Sequence, residues 1–197
     1  EMKGQLHERI FRVTDYKSFE SMALEIFRFQ AAGCPVYREY INVLGIHPED
    51  VGSVFCIPFM PISFFRDHEV ITAGGYRARG GTVYKDPPGN PAGKVFISSG
   101  TTGVKQSRHH VRFPEIYDSS LERTFRYFYG DPAQYAIMGL LPSSLERAGS
   151  SLVYMVNRLM LLSGNDTGGF FLHDHAALFR AIDRARTAGM KVLLIGV

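Results

Sequence analysis

The sequence predicts an α/β protein: a parallel or mixed sheet covered by helices, preceded by a helical amino-terminal extension. Three observations carry this expectation. From Lys94 onward, short apolar runs alternate with amphipathic stretches of helical period, the signature of strand–helix–strand units. Within residues 1–31 the apolar side chains recur at helical spacing. Between these parts, residues 72–93 carry Gly74-Gly75, Gly80-Gly81, Pro87-Pro88-Gly89 and Pro91, the chemistry of loops and hairpins. The expected organisation is a helical subdomain over 1–71, a connecting loop over 72–93 and an α/β nucleotide-binding subdomain over 94–197.

Each element has its own reason. Phe19, Met22, Ala23 and Ile26 fall on one face of a helix, which Gly33 and Pro35 end. A shorter helix is expected from Tyr37 to Leu44, closed by Gly45. Val54-Phe55-Cys56-Ile57 is a brief apolar strand signal, after which Pro58 and Pro61 hold the chain extended. Lys94 to Ile97 and Arg108 to Phe113 are strands. Pro114 suits the first turn of a helix with Tyr117, Leu121, Phe125 and Phe128 on its apolar face and Gly130 at its end. Tyr135 to Leu141 is a buried strand and Ser150 to Leu162 a helix. Its stripe of Leu152, Met155, Val156 and Leu159 is core spacing. Gly169 to Leu172 is a strand, Asp174 caps a helix that Gly189 terminates, and Lys191 to Val197 is a last apolar strand.

Bulk composition excludes several classes. A hydrophobic content of 45% with 21% charged residues is that of an ordinary globular chain. No apolar run approaches the roughly 20 residues of a membrane span. The net charge of +3 favours an anionic ligand mildly, and no basic stripe interleaved with aromatics points to nucleic acid. Cys34 and Cys56 have neither CxxC spacing nor a paired framework, so structural roles in a reducing cytoplasm are expected. The chain stops on a core strand, which suggests a fragment whose open edge favours self-association.

The segment with chemistry is Ser98-Ser99-Gly100-Thr101-Thr102-Gly103, between two expected strands. Its glycines let successive N–H groups turn inward, its small side chains permit close approach, and four hydroxyls can donate to phosphate oxygens. Lys105 and Arg108 follow with positive charge. GxxxxGK[ST] is absent, so this is not the phosphate loop of a P-loop kinase. His109 and His110 fall on opposite faces of the next strand, and His110 is the candidate to line the site. In His173-Asp174-His175, capping by Asp174 accounts for the triplet without a metal.

The string 98–103 with its following lysine resembles the signature of the adenylate-forming (AMP-binding) ligase superfamily. The segments Ile57-Pro58-Phe59-Met60-Pro61-Ile62-Ser63-Phe64-Phe65, Ser107-Arg108-His109-His110 and Leu141-Pro142-Ser143-Ser144-Leu145-Glu146-Arg147-Ala148-Gly149-Ser150-Ser151-Leu152 are similar to the acyl-protein synthetase (long-chain fatty acid–protein ligase) family. The resemblance spans nearly the whole chain. It implies part of the large amino-terminal domain of such an enzyme, with ATP and Mg2+ as cofactors. The implied reaction is activation of a carboxylic, here fatty, acid and its transfer to a thiol, with an acyl-CoA reductase or acyl carrier as partner and homo-oligomers as an option. Ser98, Ser99, Gly100, Thr101, Thr102, Gly103, Lys105 and His110 are the implied nucleotide-binding residues. Ser143, Ser144, Glu146 and Arg147 would flank the acyl pocket, and the acyl-accepting cysteine would lie beyond this chain. Where the superfamily writes Gly-x-Pro-Lys, this chain has Gly103-Val104-Lys105, so the backbone and hydroxyls are expected to grip more than Lys105 does. A coenzyme A ligase of the same superfamily and a non-catalytic phosphate-binding module are the alternatives.

Overall fold

The computed structural model describes residues 9–72, 76–77, 83–84, 93–99, 105–143, 147 and 149–196. It is a mixed α/β chain with small sheets. The chain divides into two compact units: Glu1–Val95 with Gly100–Phe113, and Phe96–Ser99 with Pro114–Val197.

In the first unit, helix α1 (Tyr16–Gly33) begins in a capping box. The Asp15 carboxylate accepts from the Ser18 N–H at 2.7 Å, and the Ser18 hydroxyl accepts from the Asp15 N–H at 3.2 Å. The buried face is carried by Met22, Phe27 and Ala31, whereas Phe19 is exposed, so the helix is rotated from the face expected through Phe19. Its amphipathic stripe is wide enough to admit both phases, and packing against the next helix selects one. Pro35 opens that helix, α2 (Pro35–Val43), at the position where its missing N–H costs nothing. Gly45 closes it at φ +68°, as the sequence suggested. Phe27, Ala31, Cys34, Tyr37, Ile41 and Val51 form the core of this unit. Tyr37 meets Phe27 edge-on, and its hydroxyl donates to the Pro58 carbonyl at 2.7 Å. The Tyr40 hydroxyl does the same to Phe59 at 3.2 Å, so two phenols hold the extended Pro58-Phe59 run.

The strand expected over Val54–Ile57 is not one. Val54–Cys56 is a 3-10 turn with Phe55 85% exposed. Glu20 on α1 accepts from the Ser53 hydroxyl at 3.0 Å and the Val54 N–H at 3.1 Å, which takes up the groups a sheet ladder would need. Further on, Phe64–Asp67 forms a single helical turn, α3. Strands β1 (Tyr76–Arg77) and β2 (Val83–Tyr84) pair antiparallel, a hairpin in the Gly/Pro-rich stretch. Strands β3 (Lys94–Ile97) and β4 (Arg108–Val111) form a further two-stranded sheet.

In the second unit, β5 (Tyr135–Leu140) is central, flanked by β6 (Gly169–Phe170) and β7 (Lys191–Gly196) in the order β6-β5-β7, all parallel. Helices cover both faces. Ile137 packs with Phe125 of α4 (Pro114–Tyr129) and with Val156 and Leu159 of α5 (Ser151–Ser163). Ala136 and Met138 pack on the other side with Leu178, Ala181 and Ala185 of α6 (His175–Thr187). Alternate residues of one strand, buried from Ala136 to Gly139, thus supply two cores. Of the face expected on α4, Phe125 is buried and Leu121 packs against it, but Phe128 is 70% exposed. Phe125 instead stacks on Tyr129 and meets Tyr135 edge-on. Gly168 lets β6 approach β5, because a Cβ there would stand 2.6 Å from the Ile137 carbonyl oxygen.

Candidate functional site

Strand β5 comes first in the chain, its crossover runs to β6, and the next crossover returns past it to β7. This order places the chain reversal at the carboxyl end of β5, where ligands of open α/β sheets bind. The segment leaving that end, from the buried Leu141, reaches Gly149 before α5 begins. Gly149 adopts φ +90°, and a Cβ there would lie 3.3 Å from the Ile97 side chain. Its carbonyl accepts from the Ile97 N–H at 2.8 Å. The last residue of β3 is therefore fixed against the segment that follows β5, one residue before Ser98.

Phe96 strengthens the anchor. It is buried, with the rings of Tyr117 and Tyr154 at 5.2 and 5.4 Å from its own. The Tyr154 hydroxyl donates to Asp118 Oδ1 at 2.7 Å, and Arg158 lies 3.5 Å from the other carboxylate oxygen. Burial first, and then the hydrogen bond and charge of Asp118, push the Tyr154 phenol up to about 12. The phenol is thus held protonated as a donor, joining α5 to α4 behind the end of β3. Tyr117 is raised by burial and then by Asp118.

Ser98 and Ser99 belong to the second unit and Lys105 and His110 to the first. Ser98 is half-buried and Ser99 exposed; Gly100, Thr101, Thr102 and Gly103 lie outside the described residues. Lys105 is exposed. Its charge, after the hydrogen bond and charge of Arg66 and alongside His68, helps hold the Asp67 carboxyl below its ordinary value. Arg66 donates to Asp67 at 2.9 Å. On β4, the His109 ring stacks on Phe65 at 4.7 Å with 22° between planes. The next residue, His110, encloses its Nδ1 with no hydrogen-bond partner among the described residues.

Sequence reasoning missed Asp67, Phe65, Gly149 and the Tyr154–Asp118–Arg158 group. Of these Phe65 and Gly149 stood in segments singled out beforehand; the others are tertiary contacts with no local signal. Ser143 is half-buried and Arg147 exposed, while Ser144 and Glu146 lie outside the described residues. Asp174 caps α6 by accepting from the Ala177 N–H at 2.7 Å, as its triplet suggested. Among the described residues no three His, Cys, Asp or Glu side chains gather as metal ligands. Cys34 is buried and Cys56 exposed, both as free thiols. No helix among the described residues is long and apolar enough to cross a membrane. No family model, curated protein or solved structure matches this chain.

Proposed function

We propose that this chain belongs to an ATP-dependent, adenylate-forming acid–thiol ligase and supplies its phosphate-binding loop. The observation that carries the reading is the entry of Ser98 from β3, fixed by Gly149 against the segment leaving the carboxyl end of β5. A loop of glycines and hydroxyls emerging there fits a polyphosphate chemically. The finer assignment to acyl-protein synthetases rests on the quoted sequence segments.

In this reading the hydroxyls of Ser98, Ser99, Thr101 and Thr102 and the backbone N–H groups at Gly100 and Gly103 hold the β- and γ-phosphates. The resemblance adds Lys105 and His110 to the nucleotide-binding set. Mg2+, if bound with the nucleotide, would supply positive charge against the phosphates. A carboxylate oxygen of the acid attacks the α-phosphorus, the bond to the bridging β-phosphate oxygen breaks, and pyrophosphate leaves. A thiolate then attacks the acyl carbon and AMP leaves. The loop's contribution is positioning and charge stabilisation.

The test is pyrophosphate release by the protein from its complete reading frame, with fatty, aryl and short acids. Acid-dependent release is expected, with acyl transferred to a protein thiol. Acyl-CoA as the product would assign the coenzyme A ligase reading instead. Nucleotide binding without release under any acid would leave a phosphate-binding module.

A further inference from the structure

Three charged side chains line one pocket of the first unit without bonding to one another. The pocket lies where α1 passes into α2, has a volume of about 210 Å3 and opens to solvent. Arg28 comes from α1, Arg38 from α2 and Glu49 from the segment after Gly45. Buried Ala31 and Ile41, with half-buried Pro48, supply an apolar lining. Backbone carbonyls hold both guanidiniums: Arg28 Nη2 donates to Val51 at 3.0 Å and Arg38 Nη1 to Ala32 at 3.2 Å. Among the described residues neither guanidinium has a further hydrogen bond or ion pair, and the Glu49 carboxylate has none. A fork held in this way keeps its remaining N–H groups in set directions, the arrangement that grips a planar carboxylate.

We propose that this pocket binds an α-amino acid with a small aliphatic side chain. The ligand carboxylate accepts from Arg28 and Arg38, its ammonium donates to Glu49, and its side chain lies against Ala31, Ile41 and Pro48. Charge decides the class. A simple carboxylic acid meets both guanidiniums but leaves the Glu49 carboxylate opposed to it. A simple amine meets Glu49 and is repelled by two cations. A zwitterion answers all three charges and enters with no net charge of its own. Size and lining decide within the class. The pocket is smaller than the roughly 300–1,000 Å3 of sites for drug-sized ligands, and its apolar part carries no aromatic ring. The proposal stands independently of the ligase reading, since it involves neither nucleotide nor acyl transfer.

Isothermal titration calorimetry on the protein from its complete reading frame tests it, with L-alanine, L-valine and L-leucine as probes. Saturable binding of at least one is expected. The matching acid without the ammonium, and the matching amine without the carboxylate, should each bind about tenfold more weakly or worse, the scale of one lost charge-assisted bond. Arg38→Ala and Glu49→Gln alter exposed side chains and should leave the circular dichroism spectrum unchanged. Each should weaken amino-acid binding by a similar factor, while Glu49→Gln strengthens binding of the acid that lacks the ammonium. No saturable binding of any of the three at millimolar concentration overturns the proposal. So does an acid that binds as tightly as its amino acid, or a folded variant that binds the amino acid unchanged. If a variant does not fold, the acid and the amine on the wild type decide.

Discussion

Tyr37 and Tyr154 show how much a single hydroxyl fixes in this chain. Burial first raises the Tyr37 phenol from 10.0 to about 12, and Tyr154 reaches about 12 by burial and then Asp118. With folded values above unfolded ones, the stability these groups contribute is full below pH about 10 and is lost as pH rises toward 12. Denaturant titrations across that window should show stability falling with pH. Tyr37→Phe should flatten part of the fall and cost about 1 kcal/mol at neutral pH through its lost bond to Pro58. An unchanged alkaline slope in Tyr37→Phe would remove Tyr37 from this account. At the loop, Thr101→Val and Thr102→Val keep shape and lose a hydroxyl each. If those hydroxyls meet phosphate, each costs about 1–3 kcal/mol of transition-state stabilisation, read from kcat/KM. Lys105→Ala should cost less than either, since Lys105 follows Gly103 one residue earlier than the superfamily spacing sets its lysine; Lys105→Ala as the most damaging change would reverse that ranking. Glycine and hydroxyl density is a local property, so the sequence alone singles out 98–103 as a candidate loop. Asp67 beside Lys105, and Gly149 against Ile97, join residues far apart in the chain and left no trace in spacing.

Asp174, which accepts from the Ala177 N–H, and Gly45, Gly130 and Gly189, at positive φ at helix ends, set boundaries that were legible in sequence. The cap at Asp15, which starts α1 well inside the expected helical stretch, and the positive φ of Gly164 were not read. Asp174→Ala should therefore cost about 1 kcal/mol in chemical denaturation, with Asp174→Asn losing much less. Equal losses from both substitutions would mean that the cap is not the source of the effect. The failure at Val54–Cys56 has the opposite cause. An apolar run with Val54 and Ile57 has the propensity for a strand, but Glu20 on α1 takes the Val54 N–H and no strand pairs with it among the described residues. The phase of α1 was misjudged for a related reason, since Phe19 fits an apolar stripe as well as Phe27 does and only the partners across the core decide between them. On α4 the expected face held at Leu121 and Phe125 and failed only at Phe128.

On the scale of the whole molecule, strand–helix alternation after Tyr135 pointed to a parallel sheet, while the order β6-β5-β7 came from packing on both faces of β5. Two sets of buried residues result, and no residue belongs to both. The first has Ile41 at 1% exposure among Phe27, Ala31, Cys34, Tyr37 and Val51. The second centres on β5, where Ala136, Ile137 and Met138 are fully buried between the two helical layers. The chain threads both sets, since Phe96–Ser99 belongs with the second and Gly100–Phe113 with the first. Removing a buried isoleucine side chain to the β-carbon costs about 2–5 kcal/mol, from lost burial and from the cavity left behind. That cost falls first on the opening free energy of the unit whose core is damaged, because exchange protection follows cooperative units. Ile41→Ala should thus lower amide protection chiefly in α1 and α2. Ile137→Ala should lower it chiefly in β5, β7, α5 and α6. Native-state hydrogen exchange read by peptide mass resolves the two sets. If either substitution lowered protection equally in all these elements, the two cores would unfold as one cooperative structure, and the division by buried cluster would carry no energetic meaning.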